Sequence, residues 1–409
     1  HLTIKNAEYQ KISPDSIPDF ADSDKIASTL QTSIRNRLMR KQSYASFRIY
    51  PFKRSENGDL LLLTSFEYEA SYTLKPQKDQ NKIQHNYASN SVLASGNWHK
   101  LKVNKTGIYK ITYENLANYG LPVSSLDPEK IQLFGNGGAQ LPYSNSDSNP
   151  NNLNENAIYV SDGNDGSFDQ GDYMLFYAQG PVVWHYDNKM KRFTHNKHEY
   201  DNYAYYFLTY GQTSGKRIQQ MNSPSGNANI HTSSYNSYRY YNKDSLNLLK
   251  SGRLWFGRKF DIENQYNFKF NFPELNNNSP VKFRTYLAAR YTGNSQFNLT
   301  INGNNQNIFM AAVGGGHEEQ YASAAIDTFS LDLNSGAINC NIKYSKPANS
   351  AMGWLNYIEI NARETLTLNN NQLAFRDISI VDQGNIAEYT LSNASNNISI
   401  WDVTDHQNP

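Results

Sequence analysis

From Leu254 to Glu364 the chain repeats one pattern: short runs in which alternate residues are apolar or aromatic, separated by polar turns. LWFGRKFDIENQYNFKFNFPEL, VKFRTYLAARYT, SQFNLTINGN, TFSLDLN, AINCNIKYS and GWLNYIEINARE are six such runs. Side chains of an extended strand alternate between two faces, so a period of two gives each run one face to bury. Six runs at this spacing predict a β-sandwich. Its inward face reads Phe268, Phe270 and Phe272, then Phe283 with Tyr286 or Leu287, then Phe297, Leu299 and Ile301. Cys340, the one cysteine, alternates with Ile338 and Ile342 and reads as a strand position. With no Cys/His signature around it, packing outweighs nucleophilic chemistry.

The same period runs through most of the 409 residues, in a composition of 30 Tyr and 19 Phe with abundant Asn, Ser and Gly. That palette is typical of extracytoplasmic β-proteins. The reading is mainly β: several antiparallel β domains, including a C-terminal β-sandwich, with few short helices. The expected divisions are 1–90, 91–245, 246–365 as the sandwich, and 366–409 as a further β segment. Lys+Arg 38 against Asp+Glu 37 leaves no electrostatic footprint for nucleic acid or an anionic membrane surface. No stretch approaches the ~20 apolar residues of a membrane-spanning helix.

Individual elements follow from local signals. Asp22 to Arg40 is expected to be helical, with Ile26, Leu30, Ile34 and Leu38 at a spacing of four. Ser46 to Leu74 reads as a hairpin through Ser55-Glu56-Asn57-Gly58, and the polar stretch Lys75 to Ser91 as a linker. A short helix opens near Thr112 and stops at Gly120-Leu121-Pro122. The glycines of FGNGG, lacking a following Lys-Ser/Thr pair, read as a turn needing positive φ rather than a phosphate cradle.

The stretch VSDGNDGSFDQGDYMLFYAQGP, Val160 to Pro181, crowds acidic residues into a glycine-rich turn. Asp162, Asn164, Asp169 and Asp172 could gather around calcium, a hard cation that takes oxygen ligands. The helix-flanked calcium loop is one ligand short, because Gly166 stands at its fifth position. Asx-turns use the same residues to satisfy backbone donors. The expected form is a strand, an Asx-rich turn and a second strand, anchored by Tyr159, Phe168, Met174, Phe176 and Tyr177. Tyr235, Tyr238, Tyr240 and Tyr241 in SSYNSYRYYNK suit either a partner or carbohydrate contact patch, or packing between two domains. Of the scattered histidines only His195 and His198 are close, and their flanks suggest a surface loop rather than a zinc site.

Several ordered blocks carry a resemblance. GNWHKLKVNKTGIYKIT, PEKIQLFGNGGAQLP, NAIYVSDGNDGSFDQGDYMLFYAQGPVVWHYD, HEYDNYAYYFLT and GKRIQQM, followed by SGRLWFGRKFD, WLNYIEINARE and SIWDVTDHQNP, span roughly Gly96 to Pro409. In this order they resemble the N-terminal, non-catalytic region of the PorU-like signal-processing peptidases of the type IX secretion system. The resemblance implies a gingipain-type cysteine peptidase domain beyond Pro409 and a place at the cell surface, associated with the outer membrane of Bacteroidetes. It implies outer-membrane and secretion-system proteins as partners, together with the chain's own downstream domain. No Cys/His dyad of the gingipain type stands in this sequence, so no catalytic residue is carried over. A carbohydrate-binding surface module is the alternative.

Overall fold

The computed structural model describes residues 2–13, 26–39, 42–71, 87–144, 147, 149–163, 165–211, 213–316 and 320–409. The chain forms two compact units, 1–85 and 86–409. Strands dominate both, and Tyr113–Asn118 is the one α-helix among the described residues.

In the first unit Leu60–Ala70 lies between Leu2–Lys11 and Phe52–Arg54 in a three-stranded antiparallel sheet. The turn at Ser55 to Gly58 closes as expected: Gly58 adopts φ +83° and donates its N–H to the Ser55 carbonyl at 3.0 Å. The helix expected over Asp22 to Arg40 is absent where that span is described. Gln31–Met39 is instead a strand paired with Gln42–Tyr50, Ile34 facing Phe47. A spacing of four is even, so it keeps residues on one face of a strand as well as of a helix, and a partner with matching register decides between them. Asp22 to Lys25 and Arg40 of the expected helix, Tyr72 to Leu74 of the expected hairpin, and Lys75 to Asn86 of the expected linker lie outside the described residues.

The second unit contains two large apolar cores and a small third cluster of Phe256, Ala288 and Trp354. One joins two sheets: Gly107–Thr112, Tyr173–Ala178 and Ile158–Ser161 form the first, and His99–Val103, Ala204–Thr209, Gln132–Phe134 and Glu155–Asn156 the second. Between them lie Leu133, Ile158, Met174, Phe176 and Tyr206, with Leu116 of the helix. That helix begins where the sequence indicates, since the Thr112 side chain accepts from the Asn115 N–H and the Asn115 side chain accepts from the Thr112 N–H. In FGNGG, Gly137 has φ +80°, and a Cβ on Gly138 would lie 2.2 Å from the Gly180 carbonyl oxygen. Turn geometry and close approach both exclude a side chain there.

The other core is the sandwich. One sheet orders Ser234–Asn242, Met352–Thr365, Val281–Arg290 and Ser323–Leu331, with Arg258–Phe260 also on the long strand. The facing sheet orders Gln265–Asn271, Ala337–Ser345, Ser295–Ile301 and Asn304–Met310. Phe268, Phe272, Phe283, Phe297, Leu299 and Ile301 meet inside, and Phe270 packs partly buried against them. The choice between Tyr286 and Leu287 falls to Leu287, which is fully buried, while Tyr286 turns to the other face. At this point the pairing slips by one residue: Tyr286 faces Tyr357 but Leu287 faces Leu355. Asn356 is the extra residue of a β-bulge.

Candidate functional site at the hairpin and sandwich junction

The strands Val182–Asp187 and Arg192–Lys197 form an antiparallel hairpin whose second strand lies against the outer face of the sandwich. Among the described residues one edge of that strand has no neighbouring strand, so its N–H groups need other acceptors. Side chains of the long strand supply them. Asn361 accepts from the Phe193 N–H at 2.7 Å and donates to the Phe193 carbonyl at 2.9 Å. Glu359 accepts from the His195 N–H at 2.9 Å and from its Nδ1 at 2.5 Å. Two side chains thereby act as a third strand.

Glu359 is the centre of the junction. Its other oxygen accepts from Arg284 at 3.0 Å, and both His195 and Glu359 side chains are almost fully enclosed. Burial opposes the charged carboxylate, yet hydrogen bonds from His195 and Arg284 outweigh it and hold the Glu359 carboxyl below its ordinary range. Arg192 donates to the Phe283 carbonyl at 2.8 Å, and Lys282 to the Lys191 carbonyl at 3.0 Å. Burial, with Arg284 nearby, lowers the Arg192 guanidinium below its usual value. Aromatic rings close the seam: Trp184 stacks on Tyr238 at 4.0 Å and His195 on Tyr240 at 4.7 Å.

The tyrosines of SSYNSYRYYNK therefore fall on two faces of the strand Ser234–Asn242. Tyr238 and Tyr240 meet the hairpin. Tyr235 is buried, its hydroxyl 3.3 Å from Glu364, and burial with that carboxylate pushes it up to about 12. Tyr241 meets Phe268 edge-on at 4.7 Å on the sandwich side. The four do not come together as one patch.

His195 lies on a strand rather than in the loop its flanks suggested, and His198 directly follows that strand, accepting from the N–H groups of Tyr200 and Asp201. The imidazole of His195 is covered because its strand is covered. Sequence reasoning missed Glu359, Arg284 and Asn361 for a related reason: polar residues alternating along a strand read as a solvated face. The remaining signal is a length of 14 residues, since so long a strand exceeds the sheet beside it and invites a second covering element.

The aspartate stretch is a strand, a turn and a second strand, Ile158 facing Phe176 and Ser161 facing Tyr173. Asp165 Oδ1 accepts from the Ser167 N–H at 2.9 Å and Asp172 Oδ2 from the Asp169 N–H at 2.6 Å. Gly163, Gly166 and Gly171 all have positive φ. Phe168, Met174 and Phe176 anchor the turn, whereas Tyr159 points outward and is 45% exposed. Asn164 lies outside the described residues. Among the described residues no group of three or more His, Cys, Asp or Glu side chains is placed to hold a metal ion. Cys340 sits in the sandwich core opposite Phe268, and burial pushes its thiol up to about 12.

No protein-family model matches the chain, and no curated protein matches it. Two matched modules are carbohydrate-binding: the CBM36-1 domain of a multidomain xylanase from the hindgut metagenome of Trinervitermes trinervoides, and a CBM36 in complex with calcium and xylotriose. The first is 11% identical with a TM-score of 0.22, covering 31% of this chain and 95% of that one. The second is 12% identical with a TM-score of 0.18, covering 24% and 71%. Similarity at this level carries no argument. The chain is also similar to the crystal structure of dimeric latent PorU from Porphyromonas gingivalis, at 21% identity and a TM-score of 0.61 over 76% of this chain. It spans 28% of the length of that chain, and the likeness shows a shared β-rich fold.

Proposed function

We propose that the chain is a non-catalytic segment of a PorU-like type IX secretion peptidase, working at the cell surface. It holds a gingipain-type domain that follows it and presents docking surfaces to outer-membrane and secretion-system proteins. The observation that carries this reading is the fold likeness over 76% of the chain. The ordered blocks from Gly96 to Pro409 support it independently. The junction at Glu359 gives it a physical basis, because a scaffold needs fixed geometry and a buried ion network tolerates few alternative packings.

Sequencing the coding region beyond Pro409 tests the proposal. A domain with a paired Cys and His of the gingipain type supports it. An immediate stop codon, or an unrelated domain, overturns it.

A further inference from the structure

Beside the junction a cleft of about 210 Å³ opens between the end of the hairpin and the sandwich. The bulge shapes it. Asn356, the extra residue, lines the cleft with Tyr357 instead of pointing away from it. The residue is only 7% exposed, its amide makes no side-chain hydrogen bond among the described residues, and its polar atoms are not among those wholly enclosed, so the amide has donor and acceptor to offer in the cleft.

Two further unmatched groups line the same cleft. Asn242 spends its Nδ2 on the His195 ring at 2.9 Å, leaving Oδ1 without a partner. Glu199 accepts the Tyr143 hydroxyl on Oε1 at 2.5 Å, leaving Oε2 without one. Asn242 Oδ1 and Glu199 Oε2 are acceptors, and Asn356 offers both a donor and an acceptor. A ligand that answers them carries several hydroxyl groups.

Charge narrows the class further. Lys197 is paired with Asp244 at 2.6 Å, and the Arg253 guanidinium lies 3.5 Å over the ring of Tyr143, the tyrosine that Glu199 binds. The two cations and two anions around the cleft thus compensate each other. The cleft therefore carries no net charge of its lining residues to favour a ligand of one sign. Trp255, 39% exposed, stands at the opening, and Tyr286 and Tyr357 form aromatic wall. Aromatic faces suit the apolar C–H surface of a sugar ring, while the unmatched amides and carboxylate suit its hydroxyls.

We propose that this cleft binds one neutral pyranose residue, held by Asn356, Asn242 and Glu199 and stacked on Trp255. The site is independent of whether a peptidase domain follows the chain. Titration of the full chain with the methyl glycosides of glucose, galactose, mannose, xylose and N-acetylglucosamine, read by saturation-transfer NMR and calorimetry, tests it. At least one glycoside is expected to saturate in the millimolar range, as befits a single small ring. Asn356→Ala and Trp255→Ala are each expected to weaken that binding tenfold or more. Trp255 is partly exposed, so its replacement decides the matter if Asn356→Ala fails to fold. Absence of saturation by every glycoside overturns the proposal. So does binding unchanged in Trp255→Ala, or a preference for glucuronate or glucosamine over the neutral sugars.

Discussion

At the scale of single residues, the junction rests on a charge that water does not reach. Glu359 answers two cationic or hydrogen-bonding partners and one backbone N–H, so it stays ionised where burial alone would neutralise it. Asp377 behaves alike: burial opposes its charge, but Arg363, 2.7 Å from each oxygen, and Ser379 hold it below its ordinary range. A carboxyl lowered in the folded state binds protons more readily when unfolded. Its contribution to stability is complete above the unfolded value, 4.5 for Glu359 and 3.8 for Asp377, and is lost as pH falls through the folded values. We therefore expect the melting temperature to fall steeply below about pH 4.5, and the fall to be shallower in Glu359→Gln. At neutral pH that variant leaves Arg284 without its carboxylate and should cost on the order of 3 kcal/mol. An unchanged acid limb would show that other groups set it. In the turn at Asp162 to Asp172, oxygens of Asp165 and Asp172 are engaged by backbone N–H groups. Melting curves in millimolar calcium and in chelator are expected to coincide, and a calcium-dependent rise lost in Asp169→Ala would assign the aspartates to a metal instead.

At the scale of elements, what the sequence made legible depends on whether one neighbour or two decide a side chain's surroundings. Alternation is clean in runs such as Ala337–Ser345, where Ile338, Cys340 and Ile342 are all buried as their spacing demands. The capped helix at Tyr113 and the turn at Gly58 were equally legible, because both are fixed by contacts a few residues apart. Gln31–Met39 was not, since its even spacing of apolar residues fits two periods and only the pairing with Gln42–Tyr50 selects one. Tyr159 was misjudged by one position: its neighbours Ile158 and Val160 share the inward face. The junction was illegible for a longer-range reason, as Phe193 and Asn361 stand 168 residues apart in the chain. The hairpin's free edge gives a test at this scale. Asn361→Leu keeps the branched shape but removes both bonds to Phe193, leaving a buried N–H and carbonyl unmatched, and should cost about 1–3 kcal/mol. Hydrogen exchange should then accelerate at the amides of Phe193 and His195 while those of the core strand Ala337–Ser345 keep their protection. Uniform acceleration throughout would mean that the hairpin and sandwich open only together.

At the scale of the whole molecule, the chain holds the strands of a β scaffold and one cysteine inside it. A thiol attacks a peptide bond as its thiolate, and it needs a base or an electropositive setting to populate that form. Cys340 is 1% exposed, among Phe268, Ile301, Ile338 and Ile342, and burial drives its thiol up to about 12. At pH 7 the thiolate is then only about one part in 10⁵. A peptide bond would also have to enter between two packed sheets, which local opening at the sandwich centre makes rare. We expect the chain alone to leave a peptide carrying a type IX sorting signal intact. We also expect Cys340 to react with a thiol reagent only at the rate of unfolding, becoming prompt in denaturant. Cleavage of that peptide, abolished by Cys340→Ala in a variant that melts like the parent, would place catalysis inside the sandwich and remove the ground for a purely supporting role. Cleavage that survives Cys340→Ala would point to a different nucleophile, one that the burial of this thiol says nothing about.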